Sequence, residues 1–139
     1  MTIRSGTRSF LDGSVEIAWA PVAAAEPLLR PLVARMTGLD PGPLHHSCPR
    51  CGSVEHGRPY VEGPASVSVA HATGLTVVAV SMVGSVGVDV EPEVSASWVR
   101  REAVGKALGT GLLAEPLPEP TWSADLDIPH HVAAVAVVS

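Results

Sequence analysis

Apolar and polar positions alternate most clearly between Val86 and Glu91. Val86, Val88 and Val90 fall on one face while Gly87, Asp89 and Glu91 fall on the other, the period-two pattern of a strand with one apolar side. Both carboxylates therefore share a face. Pro92 ends the strand, Ser95 or Ser97 can cap a following helix, and glycines stop that helix at about 109–111. Trp98, Glu102 and Lys106 are spaced four apart and lie along one helical stripe.

The same reading extends along the chain. Residues 1–12 are polar and unpatterned and predict a loose arm. Val15, Ile17 and Trp19 alternate with Glu16 and Ala18, giving a first strand that Pro21 closes. From Ala23 to Met36 the period is helical, with Leu28, Leu29, Leu32, Val33 and Met36 on one side and Gly38 as the stop. Pro27 fits a first turn, but Pro31 predicts a late start or a bend. Residues 39–65 read as a long connection. Ser66 to His71 alternates as a short strand, Thr73-Gly74 is a turn, and Leu75 to Ser81 is an apolar strand feeding into the segment at Val86. After a proline-rich loop at 114–120, residues 121–123 predict a short strand, 125–131 a turn region, and Val132 to Val138 a last apolar strand. Strands outnumber helices and short turns join them, so the expected class is α+β with antiparallel sheets.

Laid on itself at an offset of 71, the chain repeats weakly: Gly13-Ser14-Val15 falls on Gly84-Ser85-Val86, Pro21 on Pro92, Arg30 on Arg101 and Gly38 on Gly109. This predicts a single domain of two similar small α/β lobes, about 13–83 and 84–139. Asp89 and Glu91 fall on Ala18 and Ala20, so the second lobe carries the acids and a ligand is expected at the junction.

Composition narrows the possible functions. The 46% apolar content over 139 residues suffices for a globular core, and a formal charge of −5 argues against a nucleic-acid partner. No run of 18 apolar residues and no signal-peptide core appear, which predicts a cytoplasmic protein without a membrane partner. Cys48 and Cys51, with His45, His46 and His56 nearby, are half of a zinc site that would have to recruit two of those histidines; the alternative is a reduced surface turn.

If the helix after Pro92 folds back beside the strand, Asp89, Glu91 and Glu102 converge, with Lys106 a turn further on. Singly, a charged strand face and a Glu-x-x-x-Lys pair are ordinary solvated features. Together, three crowded carboxylates repel unless a divalent cation joins them, and an all-oxygen set suits Mg²⁺ or Mn²⁺. Such a group handles phosphates.

Gly-Val-Asp-Val-Glu at 87–91, followed by Trp-x-x-Arg-Glu-Ala-x-x-Lys-Ala-x-Gly-x-Gly-Leu at 98–112, resembles the paired signature of the 4′-phosphopantetheinyl transferases that activate peptide and polyketide synthases. Cys-Pro-x-Cys-Gly and His-Gly-Arg-Pro at 48–59, Ala70-His71-Ala72, and the Trp122 to Val137 tail are similar to the family's remaining segments. The resemblance implies a pseudo-dimer of two lobes. It also implies Mg²⁺-dependent transfer of the 4′-phosphopantetheine arm of coenzyme A to a serine of an acyl or peptidyl carrier protein, releasing adenosine 3′,5′-bisphosphate. By resemblance, Asp89, Glu91 and Glu102 hold the metal on the diphosphate and Lys106 balances charge on the leaving phosphate. His71 and Arg58 contact coenzyme A phosphates, and Arg30 is a candidate for the 3′-phosphate. Glu102 or a metal-bound water is the expected base. The form is shortened: six residues separate Glu91 from Trp98, where the family places a longer stretch that helps dock the carrier, and Ala70 and Ala72 stand where the family has serines. The alternative is a repurposed relative, either a coenzyme A-binding module or an enzyme acting on a small molecule in a biosynthetic pathway.

Overall fold

A computed structural model of the chain describes residues 4–47, 57–92, 95–109 and 117–139. Its class is α+β; among the described residues there are two α-helices, and every strand ladder is antiparallel.

The first sheet holds β1 (Gly6–Phe10), β2 (Val15–Ala20), β5 (Ser66–Ala72) and β6 (Leu75–Ser81) in the order β1-β2-β6-β5. The second holds β7 (Ser85–Glu91), β8 (Trp122–Leu126) and β9 (Val132–Val138) in the order β7-β9-β8. β3 (His45–Ser47) and β4 (Arg58–Tyr60) form a separate two-stranded ladder. β6 and β9 are central, and their near-continuous apolar runs follow from burial on both faces.

Three apolar clusters tie the elements together. Val15, Ile17, Val77 and Ala79 of the first sheet meet Val88, Val90, Val135 and Val137 of the second, forming the central layer. On the outer face of the first sheet, α1 (Glu26–Thr37) buries Leu29, Leu32 and Val33 against Val78 and Val80. On the outer face of the second, α2 (Ala96–Leu108) buries Val99, Ala103 and Val104 against Ala134 and Ala136. Each fully buried valine or leucine contributes about 1.5–3 kcal/mol.

The structure corrects some local expectations and decides between others that the sequence left open. The amino-terminal arm includes a strand, β1, paired with β2 from Gly6↔Trp19 to Phe10↔Val15. It is an edge strand held by its backbone ladder with mostly exposed side chains, so it shows no apolar alternation. Within the expected 39–65 connection the chain forms the β3–β4 ladder, and β8 runs on to Leu126, two residues into the expected 125–131 turn region. Helix α1 starts late, at Glu26 with Pro27 in its first turn, and continues through Pro31. Both prolines are exposed, so water can reach the carbonyl that Pro31 leaves unbonded. Between the two possible caps of α2, Ser95 serves: its side chain accepts from the Trp98 N–H at 3.3 Å, and Gly109 ends the helix at φ 79°.

The two sheets meet edge to edge. Val86 N–H donates to Ser66 Oγ at 3.0 Å, and Val88 N–H donates to Ser68 Oγ at 3.1 Å. Both bonds span 20 residues, so β5 and β7 run side by side in the same direction, joined by side chains rather than by a backbone ladder. Continued along the seam, this register sets Val69 beside Asp89 and brings His71 and Glu91 to the same end. Among the described residues, no helix is long and apolar enough to cross a membrane.

Candidate functional site

Gly87 makes the site possible. A Cβ built there would stand 1.9 Å from the Ala103 carbonyl oxygen and 2.4 Å from the Ala107 nitrogen, both backbone atoms of α2. Only a residue without a side chain lets the helix lie this close. The polar face of β7 is thus roofed by α2, and Asp89, two residues on, is left 5% exposed beneath it.

Asp89 is partly neutralised there. Lys106 Nζ lies 3.4 Å from its Oδ1 and also donates to the Val69 carbonyl oxygen at 3.2 Å, linking α2, β7 and β5. The other oxygen, Oδ2, is buried with no hydrogen-bond partner among the described residues. Burial pushes the Asp89 carboxyl above its ordinary value; Lys106 pulls it back, and the charges of Glu91 and Glu102 push it up again. Both glutamates are partly exposed and act on Asp89 electrostatically. Among the described residues, no three His, Cys, Asp or Glu side chains stand close enough together to hold a metal ion. The acids share one neighbourhood without chelating contact.

The remaining candidates are distributed around this group. His71 lies at the end of β5, exposed, with Nδ1 2.9 Å from Thr76 Oγ1. The Thr76 hydroxyl gives its proton to the Val22 carbonyl at 2.5 Å, so His71 Nδ1 is the donor in this contact. In the neutral ring, Nε2 is then an acceptor, and His71 donates to an anion through Nε2 only as imidazolium. Arg58 is half-buried at the other end of β7, where it bonds the Ser85 hydroxyl and donates to the Ala107 carbonyl at 3.1 Å. Here it satisfies a carbonyl of the last turn of α2. Ser85 lies roughly 13 Å along β7 from Asp89 at the usual strand rise. Arg30 is on α1, on the outer face of the first sheet, and its guanidinium grips both oxygens of Asp40 at 3.0 and 3.1 Å with Glu26 at 3.6 Å. The structure therefore brings Asp89, Glu91, Glu102 and Lys106 together, sets His71 at the same end of the seam, and leaves Arg30 and Arg58 bonded elsewhere.

Of the possible zinc ligands, Cys48, Cys51 and His56 lie outside the described residues. His45 stacks on Tyr60 with ring centroids 5.2 Å apart.

Sequence reasoning passed over four positions that build the site: Gly87, Ser66, Ser68 and the carbonyl of Val69. Two of the signals were present as letters, a glycine between valines and serines alternating through a Val/Ala strand. Compared with known proteins, the chain matches no family model and no curated protein.

Proposed function

We propose that the chain is a compact 4′-phosphopantetheinyl transferase, in which the β2–α1–β5–β6 and β7–α2–β8–β9 segments are two copies of one unit forming a pseudo-dimer. One observation carries the functional part: a buried Asp89 oxygen without a hydrogen-bond partner among the described residues, beside Lys106 and within electrostatic reach of Glu91 and Glu102. Supporting the duplication, both sheets have the same strand order, β2-β6-β5 and β7-β9-β8, and Gly38 and Gly109 end the two helices at φ 80° and 79°.

An orphaned carboxylate oxygen among further carboxylates fits a hard divalent cation. Asp89 would hold it, with Glu91 and Glu102 completing the set on flexible side chains. Bound there, Mg²⁺ would supply charge neutralisation for the diphosphate of coenzyme A. The chain's own residues would do the rest. Glu102 would take the proton of the carrier serine as its oxygen attacks the β-phosphorus, and the bond to the departing adenosine 3′,5′-bisphosphate would break as the new P–O bond forms. Lys106 would place its ammonium on the leaving phosphate. α2 roofs the β7 face and keeps Asp89 largely from water.

Incubation with coenzyme A, Mg²⁺ and apo-carrier proteins, read by intact mass, tests the proposal. A phosphopantetheine addition that Asp89→Asn abolishes is expected. Coenzyme A binding with every carrier left unmodified would shift the assignment to a second reading, a coenzyme A-binding module. A specific observation favours that reading too: β7 ends at Glu91 and α2 begins at Ala96, leaving only residues 92–95 where the family has its carrier-docking stretch.

A further inference from the structure

Lys106 is the only lysine in the chain; the other eight of its nine Lys and Arg residues are arginines. A cationic position that only had to cover a surface carboxylate could as well have been arginine, with its wider fork of donors. A lysine head is instead a compact point charge that can exchange with another small cation.

Its surroundings match that property. The ammonium lies 3.4 Å from Asp89 Oδ1 and 3.2 Å from the Val69 carbonyl oxygen. A carboxylate and a backbone carbonyl are both hard oxygen donors of the kind a divalent cation takes. The lysine side chain is 33% exposed, so its head has a route outward, whereas Asp89 does not. Meanwhile Asp89 Oδ2 stays buried without a hydrogen-bond partner among the described residues, so within them the ammonium leaves the carboxylate half satisfied.

We propose that Lys106 is an exchangeable internal counter-ion: it holds Asp89 in the metal-free protein, and a divalent cation displaces it and frees the ammonium for the substrate's phosphate. This rests on the reading of Asp89 as a metal ligand given above. It adds a coupling which that reading does not require. Metal binding works against the Lys106–Asp89 contact, and its reward is a cation delivered to the diphosphate, so metal and substrate each favour the other's binding.

Because the chain has one lysine, labelling with [¹³Cε]lysine gives a single side-chain resonance to follow. Titration of the 139-residue chain with Mg²⁺ alone, without coenzyme A, is expected to shift that resonance along the same isotherm that calorimetry reports for the metal. Lys106→Met is expected to bind Mn²⁺ about tenfold more tightly than the wild type, since nothing then competes for Asp89. Asp89→Asn should remove both responses. A resonance that stays put while Mg²⁺ binds through Asp89, or equal Mn²⁺ affinity with and without the lysine, overturns the counter-ion and leaves the metal site standing. Absence of any Asp89-dependent binding overturns the metal site itself and the counter-ion with it. The resonance is read on the wild type and does not depend on the methionine variant folding.

Discussion

Asp89 is charged at a cost, and the sign of that cost is measurable. Burial raises its carboxyl above the ordinary 3.8, Lys106 offsets part of this, and Glu91 and Glu102 add to it. A raised folded-state value means the native protein takes up this proton before the unfolded chain does. The group therefore costs stability above its folded value and gives it back as the pH falls toward 3.8. In urea unfolding with EDTA, the wild type should gain stability relative to Asp89→Asn between about pH 7 and pH 4. A relative loss over that range would mean that the ion pair with Lys106 outweighs burial. At this scale the letters were informative about direction: alternation alone put Asp89 and Glu91 on one face. They were silent about what Lys106 touches, because Val69 and Lys106 are 37 residues apart and no periodicity links them.

The pairing of β7 with α2 is the element on which the site depends, and it turns on one absent side chain. In Gly87→Ala the new methyl would meet backbone at 1.9 and 2.4 Å, atoms that cannot rotate away, so α2 must lift from the strand. Overpacking of this kind costs about 1–3 kcal/mol, readable as a lower urea midpoint. The displaced helix also carries Glu102 and Lys106 off the Asp89 neighbourhood, so Mg²⁺ binding should fall by more than the stability loss explains. An unchanged midpoint would contradict the close approach. Elements with a buried face and defined ends were legible in the sequence, as β2, β6, β7, α2 and β9 show. β1 was not, because Thr7, Arg8 and Ser9 of this edge strand are exposed and give no apolar alternation to read. The path of α1 through Pro31 was left open, since only the fold shows that Pro31 faces water.

Across the whole molecule, two sheets share a central apolar layer and carry a helix on each outer face, and the seam between β5 and β7 lies beside the acids. The internal offset of 71 carries β2 onto β7 and α1 onto α2, so that part of the organisation was readable from the letters. The seam was not. Ser66 and Ser68 accept from the backbone of an edge strand 20 residues away, and hydroxyls in a strand look the same in sequence whether they bridge two sheets or face water. On the function proposed above, Asp89, with Glu91, Glu102 and Lys106 around it, is a divalent-cation site serving a diphosphate. Calorimetric titration of coenzyme A into the wild type and Asp89→Asn, each with and without Mg²⁺, tests it most directly. Wild-type affinity at least about tenfold higher with Mg²⁺, and no Mg²⁺ dependence in the variant, is the predicted result. Coenzyme A binding indifferent to Mg²⁺, or equally Mg²⁺-dependent without the Asp89 carboxylate, would contradict it.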